Sequence, residues 1–217
     1  MRPNLEDASD LMQHLAELCL MNGAKRVACY LPFQNEPDVE LFIDWALDSG
    51  IQVLLPISHR GGNLSWVSFE GETATGLFGL AEPVGPPIAP KGVDIAIIPA
   101  LAVDRSGNRI GKGLGYYDRA LLEFDPLPPV VAVVHRHEVL ERVDVESHDH
   151  PVDAYVTADG VVLIAFDIQQ SFSDSALTVC PECGGELRKV FGQVGVTFKG
   201  SGFYKTDNAS SSSSKSD

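Results

Sequence analysis

Eleven consecutive residues, RIGKGLGYYDR from Arg109 to Arg119, combine side chains and backbone that suit anion binding. The segment has glycines at three alternate positions, Gly111, Gly113 and Gly115. Because glycine has no Cβ, it adopts positive φ angles and brings its N–H group close to a bound anion. Lys112 and Arg109 add positive charge beside those amides. The segment therefore predicts a loop that cradles phosphate.

The residues after the last glycine extend this interpretation. Tyr116, Tyr117 and Asp118 open an apolar segment that predicts a helix start, where the helix dipole favours negative charge. The Asp118 carboxylate at the edge of the cradle is suited to Mg²⁺. The glycine spacing fits neither the Walker motif nor the dinucleotide fingerprint. A phosphate loop and an ordinary tight turn before a helix both stay open on the glycines alone, and the tyrosines and Asp118 favour the first.

Histidines and cysteines offer further candidate ligands. His135 and His137 flank Arg136 after a predicted strand and would point to opposite sides if that strand continued, so a metal pair is not expected. Cys19 and Cys29 are interpreted as small apolar residues of a helix and a strand. Cys180 and Cys183 form one CxxC knuckle, which offers only two of the four ligands of a closed zinc site.

Hydrophobic periodicity predicts alternating helices and strands. Helices are expected at 7–21, 39–49 and 116–123, and strands at 26–31, 51–55 (ended by Pro56), 64–69 (at an edge), 93–98, 130–134 and 154–157. This alternation predicts an α/β fold, a three-layer sandwich around a mainly parallel sheet. Ligands then belong at the carboxyl ends of the strands, and the glycine loop follows the strand at 93–98.

Composition excludes several classes of protein. The 16 basic and 30 acidic residues give a net charge of −14, which argues against a nucleic-acid surface. No apolar run is long enough to cross a bilayer, and no signal pattern is visible at the start. The four cysteines do not suggest a disulfide framework, so a reduced, cytoplasmic protein is expected. We also expect a monomer or weak dimer.

The sequence GNRIGKGLGYYDRAL resembles the signature of the 5-formyltetrahydrofolate cyclo-ligase (methenyltetrahydrofolate synthetase) family. Other segments resemble the family in the same order, at 26–31, 35–38, 79–83, 97–109, 146–149 and 152–154. The resemblance covers roughly residues 25–158. It implies a Rossmann-like fold related to the CoA transferases.

The resemblance also implies a reaction. ATP phosphorylates the formyl oxygen of 5-formyltetrahydrofolate, the N10 amine attacks the activated carbon, and phosphate leaves to give 5,10-methenyltetrahydrofolate. Such a reaction needs Mg²⁺ and cationic groups around the transferred phosphoryl group and a site that excludes water.

Site residues follow from the same resemblance. The ATP-binding residues would be Arg109, Ile110, Gly111, Lys112, Gly113, Leu114, Gly115, Tyr116 and Tyr117. The folate-binding residues would be Leu31, Glu36, Lys112, Gly113, Leu114, Gly115 and Tyr116, with Lys112 and Tyr116 as catalytic candidates. Asp118 and Asp149 would hold Mg²⁺. Taken singly, Glu36 and Asp149 also suit ordinary polar turns.

Both ends depart from the family. The family's first helix carries a lysine and an arginine that reach the ATP phosphates, and no residue near Met1 takes those roles. Either the true start lies upstream, or the chain is a catalytically impaired domain that binds folate or nucleotide weakly. Leu114 is a milder departure, because many relatives carry a polar residue or glycine there.

The C-terminal segment suggests a different origin. We divide the chain into a cyclo-ligase-like domain (1–167), a partial zinc-ribbon segment (168–207) that resembles the distal half of the FmdB family, and a serine-rich tail (208–217) expected to be disordered. The ribbon segment is either half of a zinc site completed by dimerisation, with Cys180 and Cys183 as ligands, or a fusion remnant that binds zinc weakly.

Overall fold

The structure, a computed structural model, describes residues 5–144 and 149–164 of the 217-residue chain. The predictions about Cys180, Cys183 and the two C-terminal segments lie outside the described residues, as does His148. In the described part, no helix is long and apolar enough to cross a membrane.

Three helices and twelve strands make up the described fold. The helices are α1 (Leu5–Asn22), α2 (Glu40–Asp48) and α3 (Tyr116–Leu121), and short 3₁₀ turns occupy Leu77–Gly79 and Arg136–Glu138. The strands are β1 (Arg26–Ala28), β2 (Gln52–Ser58), β3 (Leu64–Ser68), β4 (Thr73–Thr75), β5 (Ala81–Pro83), β6 (Ile95–Pro99), β7 (Ala102–Asp104), β8 (Arg109–Ile110), β9 (Val130–Val133), β10 (Val139–Leu140), β11 (Ala154–Thr157) and β12 (Gly160–Leu163).

The main sheet has seven strands in the order β12-β11-β9-β6-β1-β2-β3. Its inner strands pair in parallel, and the edge strands β3 and β12 pair antiparallel with their neighbours. The predicted mainly parallel sheet is therefore confirmed, and so is the edge position of the strand at 64–69. Two small sheets, β10-β7-β8 and β4-β5, lie beside it.

Successive residues of the inner strands pack into two separate cores. Ile95 and Ile97 of β6 pack in a cluster with side chains of α1 and α2. Ala96 and Ile98 pack in a second cluster, which includes Leu121 of α3. Because neighbouring strand residues point to opposite faces, helices cover both faces and the fold has three layers.

Pro56 does not end β2, contrary to the sequence prediction. β1 pairs with β2 only as far as Leu54, whereas Pro56 lies opposite Trp66 of the antiparallel β3. The nitrogen of Pro56 faces the β1 side, and because β1 ends at Ala28 no described strand lies beside Pro56 there. The N–H that proline lacks therefore costs no ladder hydrogen bond. The small strands β4, β5, β7, β8, β10 and β12 were also not predicted, because each is too short to show a period.

Candidate active site

A cavity of about 230 Å³ opens at the carboxyl ends of β1, β2 and β6. Its walls come from the segments that follow those strands, from β5 and from the glycine loop. The lining includes the predicted site residues Leu31, Glu36, Arg109, Gly111, Lys112, Leu114, Gly115, Tyr116, Tyr117 and Asp118. The cavity therefore lies where an α/β sheet is expected to bind its ligands. Ile110 and Gly113 are absent from the lining.

The glycine loop needs glycine at two of its three alternate positions. Gly113 and Gly115 have φ angles of 78° and 60°, in the left-handed region that side chains disfavour. Gly111 does not have a positive φ, and a Cβ there would meet Arg109 Nη1 only at 3.7 Å, an ordinary contact. The following helix, α3, ends at Leu121 and is shorter than predicted, so its dipole adds little to the site.

Arg109 and Asp118 form an ion pair at the inner end of the loop. Nη2 of Arg109 donates to Oδ1 of Asp118, and the arginine is buried. Its Nε has no hydrogen-bond partner among the residues that the structure describes. The sequence assigned these residues to phosphate and to Mg²⁺, but did not predict that they pair with each other.

Lys112 and Glu36 form a second ion pair, with 2.7 Å between Nζ and Oε1. The other carboxylate oxygen of Glu36, Oε2, accepts a hydrogen bond of 2.9 Å from the backbone N–H of Phe33. Nζ of Lys112 also lies 4.9 Å from the centre of the Phe33 ring. The turn after β1 and the glycine loop, two separate predictions from the sequence, therefore meet at the cavity.

The two tyrosines after the loop differ in role. The hydroxyl of Tyr116 donates a 2.8 Å hydrogen bond to the carbonyl of His59, in the turn between β2 and β3. Burial raises the pKa of Tyr117 well above its ordinary value, and the negative charge of Glu36 adds to the rise. Tyr117 therefore stays neutral at physiological pH.

The segment that contains Asp149 passes beside Asp118, although the two residues come from distant parts of the chain. The backbone N–H of His150, the next residue, points to Oδ1 of Asp118 at 3.4 Å. The main chain next to Asp149 thus lies near Asp118, but Asp149 is absent from the cavity lining, and the joint magnesium site stays a prediction. No cluster of three or more metal-ligating side chains occurs among the described residues.

Hydrogen bonds from Arg119 connect the glycine loop to the turn between β2 and β3. The sequence did not predict this connection. Nε and Nη2 donate to the carbonyl of Gly62 at 2.9 and 2.7 Å, and Nη2 also donates to the carbonyl of Leu114. A Cβ at Gly62 would lie 1.7 Å from Nη2. The pair of glycines at Gly61 and Gly62 was the one available signal in the sequence.

Asp104 holds the β7–β8 turn that leads into Arg109. The sequence analysis did not identify this residue. Oδ1 accepts hydrogen bonds from the backbone N–H groups of Ser106 and Asn108, and Oδ2 accepts from Asn108 Nδ2 and the backbone N–H of Val143. Burial alone would raise the pKa of Asp104, but these hydrogen bonds outweigh it and lower the pKa. The charged carboxylate therefore holds the β7–β8 turn in place.

The histidine and cysteine predictions have mixed outcomes. His135 and His137 do not point to opposite sides: their rings stack with centroids 5.6 Å apart, because β9 ends at Val133 and a 3₁₀ turn follows.

Cys19 and Cys29 are buried, as expected, and burial raises the pKa of each thiol to about 12. Neither thiol is poised to react.

Comparisons with known proteins agree on one family. The model of the 5-formyltetrahydrofolate cyclo-ligase family matches residues 2–158. A 5-formyltetrahydrofolate cyclo-ligase of Mycolicibacterium smegmatis is 36% identical over 136 residues, which cover 58% of this chain and 70% of the relative. The protein of the same name from Escherichia coli K12 is 31% identical over 146 residues, which cover 64% of this chain and 80% of the relative.

A solved structure gives the same result. The NMR structure of the 5,10-methenyltetrahydrofolate synthetase of Aquifex aeolicus superposes with a TM-score of 0.65 at 30% identity, covering 76% of this chain and 85% of that one. The fold, the order of the motifs and the sequence matches thus coincide. The chain belongs to the 5-formyltetrahydrofolate cyclo-ligase family.

Proposed function

We propose that this chain converts 5-formyltetrahydrofolate to 5,10-methenyltetrahydrofolate, with ATP as co-substrate and with release of ADP and phosphate. The main observation in support of the proposal is that the glycine loop and Glu36 line the same cavity and are joined by the ion pair between Lys112 and Glu36. The glycine loop, which we propose binds phosphate, lies there beside the turn that we propose contacts the pterin, in a chain that belongs to the cyclo-ligase family.

The residues around the loop suit the phosphates of ATP. Gly111, Lys112, Leu114 and Gly115 of the loop line the cavity, so this part of the loop is accessible to a ligand there. Arg109 lines the cavity, and its Nε lacks an acceptor in the described part of the chain. A phosphate oxygen is an acceptor that would complete the hydrogen bonding of this guanidinium group after a small movement.

Lys112 is suited to position the transferred group. In the proposed step, the formyl oxygen forms a bond to the γ-phosphorus and the bond to the β–γ bridging oxygen breaks, so ADP leaves. Lys112 lies 2.7 Å from Glu36 and so connects the proposed pterin turn to the phosphate loop. Its charge stabilises the negative charge that spreads over the phosphoryl oxygens.

Ring closure follows from the same arrangement. The N10 amine attacks the formyl carbon, the bond from that carbon to the phosphorylated oxygen breaks, phosphate leaves and N10 gives up its proton. The apolar side chains of Leu31, Phe33 and Leu101 line the cavity and exclude water, which would otherwise hydrolyse the activated carbon. Tyr116, held through its hydroxyl to His59, fixes the wall beside the loop.

Asp118 and Asp149 fit a magnesium ion because hard carboxylate oxygens, completed by phosphate oxygens, are the donors that Mg²⁺ prefers. When bound, Mg²⁺ would neutralise charge on the phosphoryl oxygens. Asp118 is shared with Arg109 and with the N–H of His150. Those contacts hold the carboxylate in a fixed position at the end of the loop.

Methenyl absorbance tests the proposal directly. Purified protein should form 5,10-methenyltetrahydrofolate from 5-formyltetrahydrofolate only when ATP and Mg²⁺ are both present. Asp118→Ala should lower kcat/KM by about 100-fold or more, because removing one stabilising group costs about that much. Asp144→Ala is the matched control, since Asp144 is exposed and pairs with Arg142.

Two outcomes would contradict this function. Turnover that does not need ATP would exclude phosphoryl activation. Binding of folate without turnover by the unaltered chain would favour the non-catalytic, impaired domain instead.

A further inference from the structure

A third carboxylate, Glu82 of β5, lines the same cavity as Glu36 and Asp118. The residue is 8% exposed, and it contributes to the cavity lining together with Ser58. Oε1 accepts a 2.8 Å hydrogen bond from the backbone N–H of Ser58, the last residue of β2. Glu82 thus holds the β4–β5 hairpin against the carboxyl end of a central strand.

The other oxygen of Glu82 is available. Oε2 accepts no hydrogen bond from any residue that the structure describes, and no described lysine, arginine or histidine pairs with this carboxylate. Glu36 differs, because Lys112 and the N–H of Phe33 each occupy one of its oxygens. Oε2 is not among the fully buried polar atoms that lack a partner, so solvent reaches it and a donor of a ligand can replace that water.

Gly76 defines where this carboxylate lies. A Cβ at Gly76 would be 1.7 Å from Oε2 and 2.1 Å from Cδ of Glu82. The φ angle of Gly76 is −98°, so the backbone tolerates a side chain and only space requires glycine. The carboxylate therefore packs directly over the α-carbon of Gly76.

The open oxygen matches the donor edge of a flat heterocycle. A reduced pteridine presents an amino group next to a ring N–H, so two donors lie side by side. The amino group of adenine instead has a ring nitrogen acceptor on each side, which a carboxylate would repel. The apolar walls contributed by Leu31, Phe33 and Leu80 suit the faces of such a ring.

We propose that Oε2 of Glu82 accepts hydrogen bonds from the N–H donors of the reduced pteridine and so selects the folate substrate. This inference rests on the proposed function. It adds a substrate-binding residue to the cavity that Glu36 also lines, and it assigns a purpose to the β4–β5 hairpin.

Three variants test the assignment by steady-state kinetics. Glu82→Gln keeps the shape but turns one acceptor into a donor, Glu82→Ala removes the carboxylate, and Gly76→Ala displaces it without removing it. Each should raise the KM for 5-formyltetrahydrofolate about 10- to 100-fold, the loss expected for a hydrogen bond to a charged group. The KM for ATP should stay within about 2-fold.

Glu72→Gln is the matched control, because Glu72 is exposed beside the same hairpin and loses the same charge. It should leave both KM values unchanged. Circular dichroism at each variant's assay temperature checks folding. If Glu82→Ala does not fold, the response of Gly76→Ala and Glu82→Gln decides the question.

Direct titration separates this inference from the proposed function. Calorimetric binding of 5-formyltetrahydrofolate without ATP should be weakened in Glu82→Gln relative to the unaltered chain. Unchanged folate affinity and KM in folded variants would overturn the inference while turnover persists. A rise confined to the KM for ATP would assign Glu82 to adenine and would also overturn it. An unaltered chain without turnover would instead refute the proposed function.

Discussion

The ammonium nitrogen of Lys112 lies 2.7 Å from Oε1 of Glu36, and this ion pair joins the glycine loop to the turn after β1. The Glu36 side chain is only 9% exposed, whereas that of Lys112 is 45% exposed. The nearly buried carboxylate of Glu36 thus holds Nζ of Lys112, while the lysine side chain stays accessible to solvent. Under the proposed function, the transferred phosphoryl group would meet a lysine that Glu36 already holds in position.

Replacement of Lys112 should therefore impair the chemical step more than binding. We expect Lys112→Met to lower kcat by about 100- to 1000-fold, the range for loss of one group that stabilises the transition state. Lys112→Arg keeps the charge and should lose less. Single-turnover measurements with saturating ATP would separate the chemical step from substrate binding.

A double-mutant cycle tests whether Glu36 acts through Lys112. Residues in direct contact show interaction free energies of about 0.5–3 kcal/mol, so the losses in Glu36→Gln and Lys112→Met should not add. Lys91→Met is the control, because its side chain is exposed and makes no ion pair in the described structure. Additive losses would show that the pair has no joint role.

Patterns local in the sequence predicted much of this structure. Buried runs such as the one ending at Ile98 gave the parallel strands, and the glycines before Tyr116 gave the loop. Glu36 was assigned to the site only through the resemblance to the family; it lines the cavity, and its contact with the pterin stays a prediction. Pro56 was misinterpreted, because whether a proline ends a strand depends on which neighbour its nitrogen faces.

The residues that sequence reasoning missed have partners far along the chain. Arg119 bonds to Gly62, Glu82 bonds to Ser58, and Asp104 bonds to Val143. Arg119, Glu82 and Asp104 lie in segments that the sequence analysis had noted, but their partners leave no signal in the sequence, since only the folded sheet brings the paired segments together. The pairing of Arg109 with Asp118 was missed for another reason: both residues were recognised, but each was assigned to a ligand.

Asp104 should make the stability of this domain depend on acid pH. The carboxylate is 2% exposed and receives hydrogen bonds from Ser106, Asn108 and Val143. Its pKa is lower in the folded state than the ordinary value of 3.8. The stabilisation it gives is therefore fully present above about pH 4, and it is lost as the pH falls through the folded-state pKa.

Urea unfolding of Asp104→Asn measures this contribution. At pH 7 we expect the free energy of unfolding to fall by about 1–3 kcal/mol, because the amide presents N–H donors to groups that are themselves donors. The difference from the unaltered chain should shrink below about pH 4. Asp144→Asn, at an exposed position, should show no such difference. A difference that stays constant down to acid pH would exclude the charged carboxylate as its cause.

The neighbouring glycines Gly61 and Gly62 provide a matched test of the Arg119 contact. Their φ angles are 100° and 89°, so alanine at either position is strained by its backbone to a similar degree. A Cβ at Gly61 has nothing within 4 Å, whereas one at Gly62 would lie 1.7 Å from Nη2 of Arg119. Only the second substitution should displace the guanidinium group.

We expect Gly62→Ala to lower the free energy of unfolding by about 1–2 kcal/mol more than Gly61→Ala, because the displaced arginine loses hydrogen bonds to two carbonyls. One of these belongs to Leu114, within the glycine loop, so Gly62→Ala should also raise the KM for ATP. Urea unfolding and steady-state kinetics on the two variants give both quantities. Equal effects of the two alanines would mean that only backbone strain lowers the stability, and that Arg119 does not hold the loop in the shape that we propose binds phosphate.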